Sequence, residues 1–507
     1  MKQIRNISFV SIIIIVVALT GIFWPLMRRG FYVSDDGEWM IIRLTAFYQS
    51  LADGQFPVRF LGRLNNSYGY PVANFLYPGF LYIGSILHGI GFSFVTSVKL
   101  IMIGAVGGAS VFLYASIRRM YSSGAALLGT LAFIGSPYLL YDLYRRGSVG
   151  EILAFLPAGA GMYAIITGNP LLFALAVGIL VLAHNTFAMF FLVVYGIYIA
   201  VYKEYRLIRQ LLLGLGMSAF FWIPALLEKQ LVRFGRVSVS DPTAYLLGGD
   251  TFWLIGLAGM VSLCVLVFVR FKKTDCAART ALLLYGMVVF FVLPVSAFVW
   301  KYRPFAVLVQ FPYRLLGIGT LVVPWIVACA YERIGKQKTA FVLLLVGILI
   351  VPAWYMIKNI SFVIRDEGYY TTNESTTTVA DEYLPKWVRA LPDKRMWERL
   401  TIIKGRGSIV YEYLNTQRIT AHVDMLDAGV IRIHTIYYPG WGVTVDGIAV
   451  PIAYDNVYGF MEIAVKSGKH TIAAEFRETV PRFLSDVLSV ASVAAWFLFV
   501  LKWFVRR

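Results

Sequence analysis

Long apolar runs, each about the length a helix needs to cross a bilayer, alternate with short polar gaps along most of the chain. They fall at 7–26, 95–117, 123–141, 150–167, 170–187, 188–202, 210–227, 251–269, 280–299, 312–331, 339–357 and 483–503. The pattern predicts a polytopic α-helical membrane protein with about twelve transmembrane helices. The first run follows Lys2 and Arg5 and ends in Trp24-Pro25 rather than in small residues, so it reads as a retained span and not a cleaved signal. Gly168-Asn169-Pro170 and His184-Asn185 mark tight hairpins between spans.

Three stretches break this rhythm. Residues 27–94 form a long loop, within which 37–52 has Trp39, Ile42, Ala46, Phe47 and Leu51 at helical spacing and predicts an amphipathic helix. The apolar piece 77–91 is short for a span and is expected to lie in the interface or to re-enter it. In 299–316, Pro304 and Pro312 interrupt the apolar pattern, as in a loop dipping toward the membrane. Residues 358–482 switch to period two: "SIVYEYL", "RITAHVDM", "VIRIHTIYY", "WGVTVDG", "FMEIAVK" and "HTIAAEF" alternate between Gly and Asp punctuation. This predicts an antiparallel β-sandwich before the last helix. The expected organisation is a membrane domain over 1–357, a β-rich domain over 358–482, and a terminal span with a basic tail over 483–507.

Composition confirms the solvent. Of 507 residues 59% are hydrophobic and 15% charged, more apolar surface than a soluble chain of this length can cover. The net charge of +18 comes largely from basic clusters in alternate gaps: Arg118-Arg119, Lys203/Arg206/Arg209, Arg270/Lys272/Lys273/Arg279, Arg333/Lys336/Lys338 and Lys502/Arg506/Arg507. That is the positive-inside pattern of a multi-pass protein of the cytoplasmic membrane with both termini cytoplasmic. The basic balance therefore sets orientation, and no nucleic-acid partner is expected. Three cysteines, Cys264, Cys276 and Cys329, supply no disulfide framework to the outer regions. There is no P-loop, GxGxxG after a strand, HExxH or GxSxG, so no nucleotide cofactor is expected and the active face is the outer, extracytoplasmic one.

Candidate chemistry gathers there. Asp35, Asp36 and Glu38 follow Ser34 at the head of the predicted helix 37–52. One of Ser34, Asp35 and Asp36 suffices as a cap, and Glu38 suits the first turn. A second carboxylate is then spare, to serve as a general base toward a hydroxyl or to hold a divalent cation such as Mg²⁺ or Mn²⁺. In "SPYLLYDLYRRGSVGEILAF", Asp142, Arg145, Arg146 and Glu151 crowd one outer connection. Glu151, at the mouth of a span, is either a functional acid or the partner of Arg145 or Arg146 in an ion pair. His184 lies level with these acids, as a ligand or as a ring satisfied by a backbone carbonyl. Arg145, Arg146, Arg303 and Arg314 stand outside against the charge rule, in Tyr- and Pro-rich segments. They suit the phosphate of a lipid substrate, or phospholipid headgroups. Arg43 and Tyr313, beside these groups in sequence, join the substrate-binding candidates. Asn359 and Asn373 sit in N-x-S sequons.

The order of these segments resembles a known group. One span precedes a long outer loop with an acid heading an amphipathic helix, then "LADGQFPVRF", "YGYPVANFLYP", "SPYLLYDLYRRGSVGE" and "VQFPYRLLGIG". The succession is similar to the bacterial membrane proteins labelled 6-pyruvoyl-tetrahydropterin synthase-related, akin to YfhO-like proteins and to the GT-C glycosyltransferases. "YYPGWGVTVDG" and "SGKHTIAAEF" look like the outer β-module of YfhO-like relatives. The resemblance, which covers most of the chain, implies a GT-C-like fold. It also implies transfer of a sugar, with inversion, from a polyprenyl-phosphate donor to a saccharide, lipid or protein acceptor of the cell envelope. It puts the central acid at Asp36, or at Asp35 one register away, and the spacing to Arg43 favours Asp36. Glu151 matches the acid after the "YRRG" segment and Arg314 the Arg of "QFPYR". Where relatives carry a His one turn after the acid, this chain has Met40. Two other classes remain consistent with the residues: a transporter or flippase of a lipid-linked saccharide, and a non-catalytic scaffold of envelope assembly.

Overall fold

The computed structural model describes residues 8–235, 241–268 and 275–505, with the Arg303 side chain outside the description. Among the described residues, eight helices are long and apolar enough to cross a membrane, and up to eleven if each of three bent pairs is one span. The chain is thus a multi-pass helical membrane protein, with departures from the expected twelve that have local causes. The run 170–187 stops early: Pro170–Ala183 has 14 residues, about 21 Å of helix against a hydrocarbon core of about 30 Å. His184 breaks it in extended backbone before Asn185–Tyr202 resumes.

The bends follow the same logic. Leu207–Met217 and Ala219–Leu231 meet at 71° around Ser218, whose hydroxyl donates back to the Gly214 and Leu215 carbonyls. Gly249–Ile255 and Leu257–Val267 meet at 59° at Gly256, with φ +80°. Cys276–Val292 and Pro294–Trp300 meet at 78° at a proline. Residues 299–316 then run as short helical pieces, Arg303–Val309 and Pro312–Leu315, before the span Leu316–Arg333. Helices associate in lipid by close packing of small residues. Between Phe94–Arg118 and Val149–Thr167, a Cβ on Gly159 would lie 3.5 Å from the Ala109 carbonyl oxygen.

The first loop folds onto this bundle. Its helix Gly37–Ala52 buries Met40 to Phe47, Arg43 included, while Trp39 is 40% exposed. Of the expected face, Ile42, Ala46 and Phe47 are buried and Leu51 half-buried, while Trp39 in the first turn is exposed; the helix is covered on two sides. One side meets the bundle and the short helix Gly79–Gly89; the other meets residues 361–377, through hydrogen bonds from Arg43 to Thr377 and from Thr45 to the Tyr370 carbonyl. Two short strands tie the same parts together, β1 (Phe31–Tyr32) antiparallel to β2 (Phe362–Val363).

Beyond a largely irregular linker come eight strands: β3 (Leu400–Lys404), β4 (Gly407–Leu414), β5 (Arg418–Met425), β6 (Gly429–Ile436), β7 (Trp441–Val445), β8 (Ile448–Ala449), β9 (Phe460–Val465) and β10 (Gly468–Phe476). They form antiparallel sheets in the orders β4-β5-β10-β7-β8 and β3-β6-β9. Val423, Ile472, Ile431 and Ile463 meet in one core between them. All six alternating runs are strands. β3 and β8 lacked enough alternating residues to show in the sequence. The β-module precedes the last helix, Val480–Val505.

Candidate active site

Two turns meet at one end of the bundle. Residues 34–36 enter Gly37–Ala52, and residues 142–147 leave the span that starts at Ser123. The second is a π-turn, Asp142–Arg146, closed by Gly147 at φ +66°. Backbone N–H groups of Asp35 and Asp36 donate to the carbonyls of Arg145 and Arg146, at 3.0 and 2.8 Å. Glycine is required on both sides of this seam. A Cβ on Gly147 would sit 2.6 Å from the Ser34 hydroxyl, and one on Gly37 would sit 2.3 Å from the Phe31 ring.

Ser34 is the cap: its hydroxyl accepts the Gly37 N–H at 3.2 Å. Asp36 occupies the N-cap position without a side-chain capping bond. Both aspartates are therefore spare, and they diverge. Asp35, 47% exposed, pairs with the exposed Arg145 at 3.5 Å, whereas Asp36, 41% exposed, lies 4.0 Å from the buried Arg146.

Arg146 leads inward. Its Nη1 donates to Asp142 at 2.7 Å and to Glu151 at 2.6 Å. Glu151, fully buried in the first turn of Val149–Thr167, also accepts from Arg314 Nε at 2.9 Å and from the Tyr138 hydroxyl at 3.0 Å. His184 Nε2 stands 3.6 Å from the same carboxylate. Because His184 Nδ1 accepts the Phe187 N–H at 3.3 Å, the ring proton belongs on Nε2, facing Glu151. Arg314 is held in turn by Gln310, whose side-chain oxygen accepts at 2.6 Å and whose own backbone adopts φ +65°. Buried charges need such full pairing to persist.

The candidate residues thus divide. Asp36, Arg146, Glu151, Arg314 and His184 form one connected set, and Asp35 and Arg145 stand on its exposed rim. Tyr313 lies over Arg146, with the guanidinium carbon 5.5 Å from the ring centroid. Glu38 faces away: it receives Tyr370 and Arg365 from the linker. Arg43 donates to Thr377 and approaches the Met40 sulfur at 3.5 Å, so the Met40 thioether touches a guanidinium. Arg303 falls on a side chain outside the described residues. The expected convergence of arginines on a phosphate is altered by the acids, because Arg146 and Arg314 are already occupied by Glu151 and Asp142.

Tyr138 and Gln310 were absent from the expected set, and Asp142 was named there without a role. Each sits in a quoted motif, but nothing in sequence says which side chains there point inward. A divalent cation fits poorly: Asp35 and Asp36 face separate guanidiniums, and among the described residues no three His, Cys, Asp or Glu side chains converge on a metal position.

No protein-family profile matches the chain, and no curated protein does. Among solved structures it is similar to the arabinofuranosyltransferase AftD from Mycobacteria, at 14% identity and TM-score 0.48, over 71% of this chain. The chain spans 27% of that protein's length. It is also similar to ArnT from Cupriavidus metallidurans bound to undecaprenyl phosphate, at 14% identity and TM-score 0.45, covering 72% of this chain and 78% of ArnT. The apo state of ArnT gives 15% identity and TM-score 0.45, over 71% and 77%.

Proposed function

We propose that this chain is a GT-C-type membrane glycosyltransferase that moves a sugar from a polyprenyl-phosphate donor to an extracytoplasmic acceptor, with inversion. The observation that carries the reading is the state of Asp36. It is a half-exposed carboxylate at a helix start, relieved of capping by Ser34 and set beside a buried guanidinium that Asp142 and Glu151 anchor.

In this reading the acceptor hydroxyl gives its proton to Asp36 as its oxygen attacks the anomeric carbon. The bond from that carbon to the phosphate oxygen breaks on the opposite face, and polyprenyl phosphate departs as an anion that needs no general acid. Arg145, the exposed cation of the rim, can exchange its solvent-exposed pairing with Asp35 for that phosphate. Glu151 is a positioning residue: buried and fully engaged, it fixes Arg146 and Arg314 rather than meeting substrate. No step is routed through a metal. The β-module lies on the acceptor side, outside the cell, and both termini lie inside.

The test is transfer of radiolabelled sugar from a polyprenyl-phosphate sugar by the purified protein, with the anomeric configuration of the product read by NMR. An inverted product is expected. Retention would contradict the single displacement, and a protein that moves the lipid-linked sugar across a vesicle membrane without breaking the bond would be a flippase instead.

A further inference from the structure

Four aromatic rings from three parts of the chain gather at the mouth of the Arg146–Glu151–Arg314 set. Tyr245 packs edge-on against Phe311 at 4.8 Å, Phe311 stacks on Tyr313 at 5.4 Å and 12°, and Tyr141 meets Tyr313 at 6.1 Å. Behind them stand the two guanidiniums, Arg314 4.9 Å from the Phe311 centroid and Arg146 5.5 Å from that of Tyr313. The cluster is not sealed: Tyr245 is 42% exposed and the other three rings are partly exposed. Among the described residues, moreover, the hydroxyls of Tyr141, Tyr245 and Tyr313 have no hydrogen-bond partner.

That combination has a chemical meaning. A sugar ring presents an apolar C–H face for an aromatic ring and a rim of hydroxyls for donors and acceptors. Here the rings supply the first and the phenols the second, while Arg145 and Asp35 lie exposed on the nearby rim. We infer that Tyr245, Phe311, Tyr313 and Tyr141 form the subsite for the sugar ring of a phosphate-linked glycosyl donor. The inference rests on the function proposed above and adds the residues that select the sugar rather than the lipid.

Binding, measured apart from transfer, tests it. The full-length protein in detergent is titrated with undecaprenyl phosphate carrying mannose, glucose or arabinose, and with undecaprenyl phosphate alone. The wild type should bind at least one glycosylated lipid about tenfold more tightly than the bare lipid phosphate. Tyr245→Ala and Phe311→Ala should each remove most of that margin and leave the bare lipid phosphate unchanged, while Tyr245→Phe keeps the ring's share of the margin and loses that of the hydroxyl. Tyr245 is exposed enough that its truncation leaves the fold intact, with a thermal melt as the check. Equal losses for both kinds of lipid, no loss for either, or no wild-type margin would each overturn the subsite. Sugar-selective binding that depends on Tyr245 in a protein that transfers nothing would leave the subsite standing and remove the proposed activity.

Discussion

At the scale of single residues, Glu151 and Asp36 show how one carboxylate becomes an anchor and another a reagent. Glu151 has both oxygens engaged by Arg146, Arg314 and Tyr138 and is closed to solvent. Asp36 is open and uncapped. Glu151→Gln takes the charged partner from Arg314 and leaves Arg146 with Asp142 alone, and breaking a buried pair costs about 3–5 kcal/mol. The expected outcome is a clearly lower melting temperature in detergent; a variant that melts like the wild type yet transfers no sugar would make Glu151 a reacting group instead. The sequence offered Arg145 or Arg146 as its partner. It could not offer Arg314, 163 residues away, because that contact depends on how two distant spans pack. The helix cap was legible as a choice among Ser34, Asp35 and Asp36. The choice itself depends on Gly37 letting the Ser34 hydroxyl reach its N–H, which is backbone geometry and leaves no periodic trace.

Among elements, the seam between residues 34–37 and 145–147 sets where Asp36 points. Gly147→Ala puts a side chain into left-handed backbone, a strain of order 1–3 kcal/mol, and sets its Cβ against Ser34. Transfer should fall by tenfold or more while circular dichroism still reports the full helix content. Unchanged transfer would show that the two turns need not touch. Spans and strands were legible because their hydrophobic periods repeat over many residues. The bends at Ser218, Gly256 and Pro294 were not, since one back-bonding serine, one left-handed glycine or one proline changes direction without changing hydropathy. The early stop at His184 was visible only as a hairpin signal, yet it places the ring against Glu151.

Across the whole molecule, the β-module is held to the bundle by buried charge. Arg482, at the start of the last helix, makes two bonds to Glu228, at 2.8 and 2.7 Å. Glu228 also accepts from Tyr438 and from Asn74 of the first loop. Arg59 adds bonds to Glu478 and Asp486 at 3.1 and 2.7 Å. Glu228→Ala leaves Arg482 buried without its partner, so amide exchange in residues 400–476 and in the first turns of the last helix should quicken together. Independent rates would mean that the clamp does not couple them. The proposed function, by contrast, turns on one carboxylate, Asp36. The most direct measurement is sugar transfer by the full-length protein in proteoliposomes, comparing Asp36→Asn, Asp36→Glu and Asp35→Asn with the wild type. Loss of a general base costs about 10²–10⁴-fold, so Asp36→Asn should fall by that factor, Asp36→Glu should recover part of it, and Asp35→Asn should stay within a few-fold of wild type. Undiminished transfer by Asp36→Asn would contradict the account.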